Sequence, residues 1–216
     1  MAALTWDGTG ERRYESGTDH GVLYPQDVGG YGNGIAWNGL TAVTLSPSGA
    51  EATDLYADNI KYGSMRSAET FGFTIEAYTC PKEFYECDGT VAAADGVYIG
   101  QQKRKTFGFS YRSKIGDDTS DDKGYKLHLI YGATASPSEK AYQTINDSPE
   151  AITFSWECET TPVAVTGHQP TAHIEIDSTV ADRTKLTELE QKLYGGASTE
   201  AKLPTPDEVI AIFSGE

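Results

Sequence analysis

The stretch TFGFSYRSKIGDDTSDDKGYKLHLIY, residues 106–131, decides the fold class. Phe107, Phe109, Tyr111 and Ile115 share one phase of a two-residue period, with Thr106, Ser110, Arg112 and Lys114 on the other. Tyr125, Leu127, Leu129 and Tyr131 alternate in the same way against Lys126 and His128. Successive side chains of an extended chain point to opposite faces, so both runs predict strands with one buried and one polar face. The polar segment between them, IGDDTSDDKG (115–124), has the turn chemistry of a long hairpin's tip.

The same texture extends outward. Phe71, Phe73, Ile75 and Ala77 alternate within Thr70–Tyr78. Ile152, Phe154, Trp156 and Cys158 alternate against Thr153, Ser155, Glu157 and Glu159, and Ala172, Ile174 and Ile176 against His173, Glu175 and Asp177. Period two repeated with β-branched and aromatic residues predicts a mainly β, antiparallel protein. LSPSGAEATD (45–54) is read as a long polar loop. Helix is scarce. Pro81–Cys87 predicts one short turn. Asp182–Tyr194 predicts an amphipathic helix, with Leu186, Leu189, Leu193 and Tyr194 in one stripe and Gly195–Gly196 as its stop. In the tail, 197–216, Thr205, Pro206 and Glu208 make a capping box ahead of Val209, Ile210, Ile212 and Phe213. That segment is too short to hold a helix alone and must dock on its own domain or a neighbour.

Residues 1–34 are rich in glycine and carry Trp6, Tyr14, Tyr24 and Tyr31. They are read as an irregular arm, suited to lying on another surface or packing on the parent domain. The division expected is therefore an arm at 1–34, a β domain at 35–196 and a C-terminal segment at 197–216. The opening residues lack the apolar core of a secretory signal, which suggests an intracellular origin.

The chain has 216 residues, with 32 Asp and Glu against 17 Lys and Arg, a formal charge of −15. That balance repels phosphate backbones and argues against a dedicated nucleic-acid groove. No run approaches the ~18 apolar residues of a membrane span. Cys80, Cys87 and Cys158 are odd in number, and CPKEFYEC has neither zinc nor redox spacing, so reduced structural thiols are expected. GGYGNGI does not complete a dinucleotide fingerprint, and neither a phosphate loop, a GxSxG elbow nor an HExxH helix occurs. His20, His128, His168 and His173 are read as solvent-facing, two on polar strand faces and two in loops. No catalytic residue, metal ligand or cofactor site emerges, so the protein is not expected to be an enzyme. DDTSDDKG lacks the sixth-position Gly and twelfth-position Glu of a calcium loop. The basic cluster Lys103, Arg104 and Lys105 is read as a solvated strand end, or as the partner of Asp117, Asp118, Asp121 and Asp122 across a head-to-tail interface. NDS (146–148) matches a glycosylation triplet that a cytosolic chain would never present to the enzyme.

Four stretches resemble a known family: IAWNGLTAVTLSPSGAEATDLYADNIKY (35–62), FGFTIEAYTCPKEFYECDG (71–89), IGQQKRKTFGFSYRSKIGDD (99–118) and GYKLHLIYGATASPSEKAYQTINDSPEAITFSWECETTPV (124–163). They are similar to the major tail tube protein of long-tailed, non-contractile bacteriophages and prophages of Gram-positive bacteria. The final twenty or so residues match least. The resemblance implies an antiparallel β-sandwich or partial barrel with one flanking α-helix. It also implies stacked rings, commonly hexameric, whose strands join a lumen-lining barrel through which DNA passes during ejection. Implied partners are further copies of the chain, the tape measure protein, and the distal tail and terminator proteins. The location implied is the virion, after synthesis in the host cytoplasm, with no membrane contact. On this reading Trp6, Tyr14, Tyr24, Tyr31, the 103–105 and 117–122 charges, Ile210 and Phe213 are candidate inter-subunit contacts. Glu76, Glu157 and Glu159 are candidates for an acidic lumen that keeps DNA sliding; the alternative is that they face bulk solvent. A second function class stays open: a monomeric carbohydrate-binding module using exposed tyrosines as sugar platforms.

Overall fold

The computed structural model describes residues 4–49, 51–145, 147, 150–196 and 199–215. In chain order its elements are β1 (Tyr14–Asp27), β2 (Gly30–Tyr31), β3 (Ile35–Trp37), β4 (Leu40–Gly49), β5 (Ala52–Ala57), β6 (Ile60–Arg66), β7 (Glu69–Ala77), α1 (Phe84–Cys87), β8 (Val91–Ala94), β9 (Val97–Ile99), β10 (Phe107–Gly116), β11 (Gly124–Ala135), β12 (Phe154–Thr160), β13 (His173–Asp177), α2 (Arg183–Tyr194) and α3 (Pro206–Ser214). The protein is mainly β and antiparallel, as the alternation predicts.

The main sheet runs β2-β1-β10-β11-β12-β7-β4, with β3 beside β1 and β13 beside β11. β11 is the strand that turns the corner. Its Lys126–Ile130 portion pairs with β13, whereas Ala133–Ala135 pair with β12. Between them Gly132 adopts φ +61, and a Cβ there would sit 2.3 Å from the Thr161 carbonyl oxygen. Only glycine fits such a bend without strain. The result is two layers, β1-β10-β11-β13 and β12-β7-β4, curled so that β1 comes back into contact with β4.

Between the layers lies one apolar cluster, including Leu23, Trp37, Phe73, Ile75, Phe84, Phe107, Phe109, Ile130 and Trp156. A second cluster covers the outer face of the first layer, where Val22, Tyr24, Leu127, Leu129 and Tyr131 meet Leu186, Leu189, Leu193, Val209 and Ile212 from α2 and α3. β10 and β11 are therefore buried on both faces, which corrects the expectation of one polar face for each. Gly108 makes the close fit possible. A Cβ on it would lie 2.3 Å from Leu203 Cδ2.

The helices follow their sequence signals. Asp182 caps α2 by accepting from the Thr184 and Lys185 amides at 2.9 and 3.1 Å. Thr205 and Glu208 form the capping box of α3, which docks on its own chain through buried Val209 and Ile212. Two expectations are overturned. The supposed irregular leader contains β1, whose Val22, Leu23 and Tyr24 lie in the core. Its period was hidden by register shifts between Ser16 and Thr18 and between Asp19 and Val22, where Gly17 and His20 take positive φ. The polar loop at 45–54 is instead the end of β4 and the start of a second hairpin, β5–β6.

Candidate assembly surfaces

Two hairpins stand apart from the main sheet. Among the described residues β5 and β6 pair only with each other, as do β8 and β9. The β5–β6 turn is Asp58–Asn59, with φ of 51° and 64°, the type I′ geometry that matches strand twist. Asp54 holds the hairpin from one side, accepting from Ser64 Oγ and pairing with Lys61 Nζ, each at 2.8 Å. Yet Tyr56, Ile60, Tyr62 and Met65 are 72, 63, 75 and 63 % exposed, and Leu55 is exposed as well. Val91, Val97, Tyr98 and Ile99 are exposed on the second hairpin. A two-stranded hairpin is marginal alone, and clustered exposed apolar side chains mark interaction surfaces.

The bare outer face of β12-β7-β4 has a different character. Ser155, Glu157 and Glu159 of β12 stand opposite Glu76, Thr74 and Gly72 of β7, and Thr44 and Ser46 of β4 continue the row opposite Thr74 and Gly72. This face is polar, and its charged members in that row are all carboxylates. The structure thus gathers Glu76, Glu157 and Glu159 on one surface, opposite in the fold to the helix-covered one.

Other expected contact residues divide. Trp6 and Tyr14 are exposed, as is Ile210. Tyr24 is not available: it is fully buried, and its hydroxyl donates to the Leu193 carbonyl at 2.8 Å. Burial pushes its phenol above the ordinary range. Tyr31 accepts from the Gly132 amide at 2.8 Å and packs on Tyr131. Phe213 packs partly buried against the second core cluster. The basic cluster is engaged within the chain: Lys105 pairs with Asp27 at 2.7 Å and with Glu86 at 3.4 Å. Arg104 meets Asp88 at 3.4 Å and the Ala135 carbonyl at 3.0 Å, whereas Lys103 stays exposed. Asp117 is buried, accepting from the Thr119 hydroxyl and the Thr119 and Ser120 amides at 2.6, 2.7 and 2.9 Å. Asp118 accepts from the Gly10 amide at 2.8 Å, while Asp121 and Asp122 remain exposed.

Sequence reasoning missed the β8–β9 hairpin, although Asp95–Gly96 between apolar runs is a hairpin signal. It also placed His128 and His173 in solvent. His128 is buried and His173 half-buried, in nearly parallel contact with each other. The three thiols are unpaired, and burial pushes Cys80 up to about 11 and Cys87 to about 12, so both are poor nucleophiles near neutrality. The triplet at 146–148 lies outside the described residues, apart from Asp147. Among the described residues no helix is long and apolar enough to cross a membrane.

No model of a known protein family matches this chain, and no curated protein matches it either.

Proposed function

We propose that the chain is a self-assembling structural subunit of a phage tail tube, a ring-forming protein whose stacked rings enclose a conduit for DNA. The observation that carries the reading is the pair of hairpins outside the main sheet: Leu55, Tyr56, Ile60, Tyr62 and Met65 are exposed on the first among the described residues, and Tyr98 on the second is exposed beside its edge contact with Tyr85. Copies of the same chain would bury them. The uncovered acidic face of β12-β7-β4 supports the lumen assignment, since carboxylates repel the phosphate backbone and leave DNA free to slide. The tape measure, distal tail and terminator proteins are the partners this role requires, and the assembled virion is its location. One open groove, about 990 Å3, mixes Leu45, Pro47, Phe71 and Pro170 with the polar Glu69, Gln169 and His173 and has no tyrosine in its lining to act as a sugar platform.

Negative-stain electron microscopy of the concentrated protein tests this. Rings or tubes are expected for the native chain, and isolated subunits for a Leu55→Asp, Met65→Asp variant. A chain that stays monomeric at every concentration and binds a glycan through its tyrosines would overturn it.

A further inference from the structure

The two layers meet at an open seam, and four aromatic rings bridge it. Tyr111 of β10 lies against His128 of β11 with centroids 4.5 Å apart and planes 9° from parallel. His128 lies 5.4 Å from His173 of β13, and His173 stacks at 5.1 Å on Phe71, which belongs to β7 in the other layer. β13 and β7 share no ladder pairing, so the His173–Phe71 contact spans the gap.

The polar atoms fix the proton positions. Ser113 Oγ donates to Glu15 at 3.1 Å, and Glu15 is held ionised by its bond to Lys126. The single hydroxyl proton is therefore spent, and Ser113 Oγ must accept from His128 Nε2 at 3.1 Å. In the neutral ring His128 Nδ1 then carries no proton, so it accepts from His173 Nε2 at 3.2 Å. The chain of donors runs one way, His173 to His128 to Ser113 to Glu15, and requires a neutral His128. Among the described residues, charged groups from several elements face the pair, including Glu69 of β7, which lines the groove beside His173. Glu15 comes from β1, Lys126 from β11 and Glu175 from β13, the last 3.8 Å from His128 Nδ1; Lys126 bonds both carboxylates, at 2.6 and 3.0 Å. β10 adds Tyr111 and Ser113, β7 contributes Phe71, and β4 lines the opening with Thr41, Val43 and Leu45.

We infer that the His128–His173 pair is an acid-sensitive latch that keeps β13 closed against the second layer and releases it when both imidazoles take up protons. A first proton enters at His173 Nδ1 and leaves the donor chain intact. The second must go to His128 Nδ1, which already accepts from His173. That bond is lost and two cations then face each other. Burial, then the neighbouring imidazole, pushes His128 down to about 4, against the pull of Glu175 and Glu15; burial lowers His173 too. In the unfolded or opened chain both return toward ~6.5. The closed state therefore binds fewer protons, so its stability is full above the ordinary imidazole value of ~6.5 and is lost progressively as pH falls from there toward about 4. The inference concerns the fold itself and stands apart from the assembly reading.

Two-dimensional NMR of the imidazole nitrogens, with amide hydrogen exchange at pH ~7 and ~5, tests the latch. The expected result is a neutral Nε2–H tautomer for His128 that persists below pH ~6. Amides of β13 should become roughly tenfold less protected at the lower pH, after correction for intrinsic rates, while β10 amides keep their protection. In His128→Gln, His173→Phe that pH response should flatten. His128 titrating at the ordinary imidazole value, or as the Nδ1–H tautomer, would overturn the inference. So would an unchanged response in the double variant. If that variant fails to fold, the titration of the native chain decides alone.

Discussion

Tyr24 and Leu193 are 169 residues apart in the chain, and the hydroxyl of the first donates to the carbonyl of the second at 2.8 Å. This bond ties β1 to the last turn of α2 and satisfies a carbonyl that the helix end leaves without an intrahelical partner. Tyr24→Phe should cost about 1–2 kcal/mol in urea unfolding, because a buried acceptor loses its donor. Deleting residues 1–34 should abolish folding altogether, whereas deletion of 1–13 should leave a folded domain. Circular dichroism of the two truncations distinguishes these outcomes.

Arg112 sits in a cage. Its guanidinium pairs with Glu190, and its Cζ lies 4.1 Å from the Tyr125 ring centroid and 5.0 Å from that of Tyr194. Tyr125 also donates to Glu190. Arg112→Ala leaves the Glu190 carboxylate mostly enclosed without its cation, and should destabilise by roughly 3 kcal/mol. Arg112→Lys should recover only part of this, since an ammonium cannot fill the planar fork between two rings. Denaturant midpoints of the three proteins check the order.

On the β5–β6 hairpin, Leu55→Asp and Met65→Asp should change stability by no more than ~0.5 kcal/mol each, because both side chains are exposed in the subunit. Sedimentation velocity should nevertheless show loss of assembly. A large fall in melting temperature would instead place these residues in the subunit's own packing.

Charge reversal on the acidic face, Glu157→Lys with Glu159→Lys, should leave the subunit's melting curve unchanged. Assembled material bearing it should retain double-stranded DNA at low salt and release it as salt rises, where the native assembly retains none. Equal DNA retention by the two would overturn the proposed role of this face as a lumen lining.

Asp117 is held well below the usual carboxylate range, first by the Thr119 hydroxyl and then by the Thr119 amide, Lys123 and the Ser120 amide, against an opposing desolvation. A lowered carboxylate pKa stabilises the folded state above the unfolded value of ~3.9, and the contribution is lost as pH falls below it. Asp117→Asn should flatten the acid limb of the stability curve below pH ~4, read from thermal unfolding.

Much of the β framework was legible from residue order. Alternation located β7, β10, β11, β12 and β13 because a strand packed on a core must alternate, whatever that core is made of. The Leu186, Leu189 and Leu193 stripe with its Gly195 stop located α2, and the Thr205–Glu208 capping box located α3, because these signals act within a few residues of one another. The acidic candidates Glu76, Glu157 and Glu159 were legible as members of polar strand phases. What tertiary structure alone decided depends on pairing between distant residues. Nothing local to Tyr24 or Tyr31 states that α2, Leu203 and Gly132 will close over them, so a glycine-rich segment read as an arm became a core strand. The polar phase of β11 holds Lys126 and His128, and only the return of β13 encloses His128 between the rings of Tyr111 and His173. The sequence determined which residues could share a face. The fold decided which faces met, because burial is a property of the neighbour that arrives and not of the residue that waits.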